Sequence, residues 1–325
     1  MMKEVLMMKG ARTVVDLCAN AKKGEKVLVI TDPERASIAK VLMAALYERS
    51  IEAVMCVMPA NELDGQEPPK IVAAALLEAD VVIMPVSRSI SHSTAVKSAL
   101  KNGARIVALS AFVEEQMYTG GILADFVKEK EVCDRFSDYF DKGSIVKITT
   151  PAGTNYTASI ANRPGNSHSG IVTKPGAYTA VPNIEANVSP VEGTSEGVLV
   201  IDGSVPNFGI GVVETPVVYK IKDGVIYEIS GGKEAARINY LSKSVNDPAA
   251  YNIAQIAIGL NPECKQVNGQ MLNDHGAYGR MHIGIGTSSS LGGNVKAPLH
   301  YDVVMENATL TIDGKVVLEN GVIKG

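Results

Sequence analysis

The chain has 325 residues, 46% of them hydrophobic and 20% charged, with a net charge of −4. That length exceeds one typical core and points to about two domains. The mild acidity, without any basic stripe, argues against nucleic acid and anionic membrane surfaces as partners.

With no Trp and only five Phe, the core must be aliphatic. Cys18, Cys56, Cys133 and Cys264 lie far apart and form no CxxC pair. Reduced thiols in a cytoplasmic protein are therefore expected, and not a disulfide framework or a structural zinc site. The opening "MMKEVLMMKGARTVV" is a Met-rich apolar patch broken by Lys9 and Arg12, unlike a signal peptide. No apolar run approaches the roughly 18 residues that span a bilayer.

Taken in order, "KVLVITD" from Lys26 is a short β-branched run, followed by a helical pattern from Pro33 to Ser50. Strand-like "EAVMCVMP", helix-like "PKIVAAALLEAD", the run "VVIMPVS", a helix from about Ser93 to Asn102 and "RIVALS" complete the first third. Apolar strands alternating with helices predict an open α/β domain with a mostly parallel sheet covered on both faces. "TDPERAS" after the first strand has no glycine, which argues against a dinucleotide or ATP site there. Arg88 and His92 in "SRSISHS" follow the third strand, at the sheet edge where ligands bind, and are candidates for substrate contact. The plainer alternative has Ser91 capping the next helix and His92 on the surface.

From about Gly143 the texture turns to β. "SIVKITTPAGTNYTASI" alternates around Gly153 as a hairpin, and "GVLVIDGSVPNFGIGVVETPVVYKIKDGVIYEISG" continues with turns at Asp202-Gly203 and Asp223-Gly224. A helix from about Glu234 to Lys243, the apolar "YNIAQIAIGLNP" and a hairpin turning at Asp313-Gly314 end the chain. The expected division is an α/β domain over 1–142 and a β-rich α+β domain over 143–325.

Chemistry concentrates in "RMHIGIGTSSSLGGNVKAPLHYDVVM", residues 280–305. In "LHYDVVM", His300 and Asp302 are two apart on a strand and project from one face. An imidazole and a carboxylate side by side suit a divalent metal, and His282 in the preceding strand-like "RMHIGIG" adds a third donor across a hairpin. Such a set leaves coordination positions open, as a catalytic site requires. A lone HxD could equally be an imidazole–carboxylate hydrogen bond at a strand end. Glu185 in "AVPNIEANVSP" is a further ligand or a general base, against a solvated loop glutamate. Gln255, in the apolar "IAQIAIG", needs buried partners or contacts substrate. His275 in "NDHGAYG" is placed in a supporting catalytic role, against a surface-loop position.

"NIAQIAIGLNP", "GRMHIGIG" and "LGGNVKAPLHYDVVM" followed by "GKVVLENG" resemble the aminopeptidase T-like metallopeptidases and their relatives, the 2,5-dihydroxypyridine 5,6-dioxygenases. The likeness covers roughly residues 180–325. The peptidase branch implies two divalent metals on two glutamates, two histidines, an aspartate and a tyrosine. Glu185, His282, His300 and Asp302 match four of these, while Gln255 stands where the second glutamate falls and Ser288 to Ser290 where the tyrosine falls. The dioxygenase branch implies one iron(II) on His, His and Asp, with His300 and Asp302 matching and Gln255 at the remaining histidine. The resemblance implies a divalent ion (zinc, iron(II), manganese or cobalt), a small-molecule or short-peptide substrate and a homodimer. The expected activity is an aminopeptidase-like hydrolase of amide-type bonds, with an iron(II) ring-cleaving dioxygenase of a hydroxylated N-heterocycle as the alternative.

Overall fold

In the computed structural model, residues 3–324 are described, and they divide into two compact units. One runs to Lys130 and takes back Gly170–Pro182; the other holds Glu131–Ser169 and everything from Asn183 onward.

The first unit begins with helix α1 (Lys3–Arg12) and alternates β1 (Val27–Thr31), α2 (Ala36–Glu48), β2 (Ala53–Val57), α3 (Lys70–Glu78), β3 (Val81–Met84), α4 (Thr94–Lys101) and β4 (Arg105–Ala108). The α/β reading of the sequence is thus the observed one. Strands β1 and β3 are buried at every position, as expected of a parallel sheet covered on both faces. Leu28, Ile30, Val82, Met84, Ile106 and Ala108 pack with Val72, Leu76, Val96 and Ala99 in one core. Ser93, and not Ser91, caps α4 by accepting from the Val96 amide at 3.2 Å. Ser91 instead accepts from the Tyr178 hydroxyl.

Helix α5 (Phe126–Lys142) contains the division between the units. After it come β5 (Ile145–Thr149), β6 (Asn155–Ser159) and β7 (Asn166–His168), and then β8 (Tyr178–Ala180) pairs with β4 as the fifth parallel strand, giving the order β2-β1-β3-β4-β8. Where the sequence suggests one cut near 142, the contacts divide at Lys130 and again around this returning strand.

The remaining elements are β9 (Glu185–Val188), β10 (Glu196–Ile201), β11 (Ser204–Val205), β12 (Gly211–Val212), β13 (Val217–Lys222), β14 (Val225–Ser230), α6 (Lys233–Ser244), β15 (Ile253–Gly259), α7 (Met271–Gly276), β16 (Met281–Gly286), β17 (His300–Met305), β18 (Thr309–Ile312), β19 (Lys315–Glu319) and β20 (Val322–Ile323). With β5, β6 and β7, their strands build two sheets, ordered β14-β13-β10-β6-β5-β18-β19-β20 and β12-β11-β17-β16-β15-β9-β7. In the second of these the paired strands are antiparallel, and β15 and β16 are buried throughout. Its two faces differ. Ile256, Ile258, Ile283, Ile285, Tyr301 and Val303 line one; Glu185, Asn187, Gln255, His282, His300 and Asp302 line the other. No described helix is long and apolar enough to cross a membrane.

Candidate metal centre

Register fixes the polar face. Asp302 stands opposite Gly284, His300 opposite Gly286, and His282 opposite Val304. On the other side Gln255 faces Gly284, and Glu185 pairs with Gly259. Opposed residues of an antiparallel pair project to the same side, so these side chains share one surface. Glu185 is strand, not solvated loop: β9 is buried at all four positions between Pro182 and Pro190.

Gly284 makes room for the cluster. A Cβ there would lie 2.8 Å from His300 Cε1, 2.9 Å from its Nε2 and 2.7 Å from Gln255 Cβ. The His300 imidazole therefore lies across the strand where a side chain would otherwise be.

His275 arrives from outside the sheet, on α7, between β15 and β16. Its neighbour Asp274 is fully buried and accepts from Ser204 Oγ at 2.6 Å and from the amides of Asn268 and Gly269 at 2.8 and 2.9 Å. These bonds hold the short helix against the sheet, and His275 is buried with it.

His275 Nε2 lies 3.3 Å from Asp302 Oδ2, and His300 Nε2 lies 3.4 Å from Asp302 Oδ1. His282 Nε2 lies 3.4 Å from Glu185 Oε2, and its ring stacks on His275 with centroids 4.7 Å apart. One donor atom from each of Glu185, His275 and His282 falls within 4.8 Å of the others. The Thr287 carbonyl, which can only accept, receives a hydrogen bond from His300 Nδ1–H at 2.9 Å, so Nε2 is the nitrogen that faces Asp302.

Glu185 differs from Asp302 in how its oxygens are used. It accepts from Asn183 Nδ2 at 2.8 Å, Asn187 Nδ2 at 2.8 Å and Gln255 Nε2 at 3.1 Å. Gln255 is thus committed to Glu185. Behind β9, the Cys133 thiol donates to the Glu185 carbonyl at 3.0 Å, and burial pushes that thiol up to about 12.

Burial alone would raise both carboxyls, but the imidazoles beside them outweigh it. Glu185 is held far below the usual carboxylate range by His282, with His168 and His275 adding to the effect. Asp302 is held low by His300 and His275. Burial lowers His275 despite Asp302. Burial opposes charge on His282 and His300 too, yet Glu185 raises the first and Asp302 the second.

The residues fit a cation. His275 Nε2, His282 Nε2 and Asp302 Oδ1 are buried and lack a hydrogen-bond partner. Each such atom costs about 1–3 kcal/mol if left unpaired. Imidazole nitrogen and carboxylate oxygen together form the donor set of a divalent metal site.

His168, which the sequence gives no reason to select, stands opposite Glu185 in β7, so four of the five histidines belong to this face or its border. Arg88 and His92 do not join the cluster's unit. Both are exposed in the α/β unit, Arg88 with its Nη1 3.9 Å from Asp64.

Over residues 7–325 the chain matches the family described as NicX, 2,5-dihydroxypyridine 5,6-dioxygenase. The chain belongs to this family. It is thereby a member of an enzyme family within the superfamily that the C-terminal motifs suggest. A 2,5-dihydroxypyridine 5,6-dioxygenase of Pseudomonas putida KT2440 is 25% identical over 263 residues, which cover 76% of this chain and 71% of the relative. The structure of a 2,5-dihydroxypyridine dioxygenase from the same strain superposes with a TM-score of 0.86 at 21% identity, covering 99% of this chain and 98% of that one. Wild-type AmpT from Thermus thermophilus superposes with a TM-score of 0.75 at 17% identity, covering 99% of both chains. At these identities the two structures speak for the fold.

Proposed function

We propose that the protein is an iron(II)-dependent dioxygenase that opens the ring of a hydroxylated N-heterocycle of the 2,5-dihydroxypyridine type. The observation that carries the reading is the convergence of His275 Nε2 and His300 Nε2 on the two oxygens of Asp302, within 3.3 and 3.4 Å. Two imidazoles and one carboxylate with positions left open are the donor set of non-haem iron(II) oxygenases. Family membership supports the same choice. His275 thereby moves from a supporting role to that of a ligand, beside His300 and Asp302.

Bound iron(II) would supply the one-electron chemistry that dioxygen requires and that side chains lack. The chain's own contribution is orientation and charge. Thr287 holds the His300 tautomer. Asp274 anchors the helix that carries His275. Glu185, fixed by three amides, keeps a negative charge 3.4 Å from His282 Nε2. This pair borders the His275, His300 and Asp302 set, and its sequence reading as metal ligands belongs to the hydrolase reading below. Arg88 and His92 remain proposed substrate contacts.

A metal-dependent hydrolase of amide-type bonds is the second reading. It draws on the grouping of Glu185, His275 and His282 and would use a metal-activated water. Gln255, an amide bonded to Glu185, counts against a carboxylate bridge between two metals.

Oxygen-electrode assays with iron(II) and 2,5-dihydroxypyridine separate the two. Stoichiometric oxygen uptake with loss of the ring absorbance is expected, and His300→Ala or Asp302→Ala should reduce it at least a thousandfold. Hydrolysis of aminoacyl amides without oxygen uptake would overturn the dioxygenase reading.

A further inference from the structure

The loop joining β16 to β17, residues 287–299, carries the carbonyl that fixes His300. Its base closes on itself: the Thr287 amide donates to Leu299 O at 2.9 Å, and the Ser288 amide donates to Val295 O at 2.9 Å. Its crest is held from outside. Arg163 Nη1 donates to Gly292 O at 2.7 Å, and Glu192 Oε1 accepts from the Asn294 amide at 2.8 Å. Arg163 and Glu192 are ion-paired with each other, so the two grips form one clasp. The Arg163 side chain is only 11% exposed. Gly292 has φ +93°, and a Cβ there would lie 2.7 Å from Pro164 Cγ, next to Arg163. The crest thus sits directly on the segment that carries the arginine.

The same loop touches the other half of the cluster. Asn166 Nδ2 donates to Leu291 O at 3.2 Å and to Asn187 Oδ1 at 3.0 Å. Asn187 in turn donates to Glu185 at 2.8 Å. One end of the loop therefore orients an imidazole, and its middle reaches the buried carboxylate through two amides.

We infer that Arg163 and Glu192 are positioning residues of the metal centre, which hold His300 and Glu185 in place by clasping the crest of the 287–299 loop. The inference rests on the reading of His300 as a ligand. Guanidinium geometry suits the task, because its fork can bind a carboxylate and a carbonyl together while an ammonium is a single point. Loss of partners that orient metal ligands typically weakens binding 10–100-fold.

The test uses the metal-free full chain and cobalt(II) as the probe, with affinity measured by titration. Backbone hydrogen exchange over 287–299 is measured alongside. Arg163→Met should weaken cobalt binding about tenfold and speed exchange across the loop, with Arg163→Lys intermediate. Glu192→Gln should shift both in the same direction and stands in if Arg163→Met does not fold. Arg105→Met, which removes an ion pair in the other unit, should leave cobalt affinity unchanged. Wild-type cobalt affinity in both Arg163→Met and Glu192→Gln would overturn the proposal, even with faster loop exchange. If the wild-type chain takes up no cobalt, His300 is not a ligand and the proposal falls with that reading.

Discussion

At the scale of single residues, the centre depends as much on a missing side chain as on those present. The space a Cβ would need at Gly284 is occupied by the His300 ring at 2.8 Å. Neither neighbour yields easily, because Gln255 is bonded to Glu185 and His300 to Thr287. Gly284→Ala should therefore tilt His300 away from Asp302 and cost about 1–3 kcal/mol of stability through overpacking. Cobalt affinity should fall at least tenfold, a loss measurable by titration of the purified variant. The HxD pair was legible in the sequence because a period of two places both side chains on one face. His168 was not, because a three-residue strand leaves no periodicity to read. His275 was hidden for a different reason: its placement comes from Asp274 reaching Ser204, a contact across 70 positions.

At the scale of elements, β1 and β4 are tied at their starts by charge. Arg105 donates to both oxygens of Glu25 at 3.0 Å and also to Asn20 O at 3.2 Å. Burial would raise Glu25, but the bonds from Arg105 outweigh it and its carboxyl is held below the ordinary value. A lowered folded-state value means stability that is present above the unfolded value, near 4.3, and lost as pH falls through the folded one. Arg105→Met should therefore cost about 1–3 kcal/mol at neutral pH. The gap from wild type should narrow below about pH 4, as urea titrations over a pH series would record. This pairing was not legible, although both strands were. Their unbroken aliphatic runs signal a sheet buried on both sides, whereas ion-pair partners 80 positions apart leave no local trace.

At the scale of the whole molecule, every proposed ligand belongs to the unit formed by Glu131–Ser169 and Asn183 onward. A cation that binds only the folded form stabilises it by about 2.7 kcal/mol at a hundred times its dissociation constant. For a unit of this size that is roughly 5–10 °C. Calorimetry with saturating cobalt or manganese should show that rise, chelator should reverse it, and Asp302→Ala should abolish it. If heating resolves two transitions, only the one belonging to this unit should move. The two-part architecture was legible from the change of texture near Gly143. The return of β8 to the parallel sheet was not, since three residues flanked by Gly176 and Pro182 carry no strand signature.

The thiol that lies against β9 bears on what surrounds the buried cluster. Cys133 Sγ approaches the main-chain oxygen of Glu185, not its carboxylate, and burial keeps the sulfur protonated at any physiological pH. Sulfur attacks metals and peroxides as the anion. The buried imidazoles and carboxylates thus have a neutral, shielded sulfur as a neighbour, one that neither competes for a cation nor offers a thiolate to an oxidant.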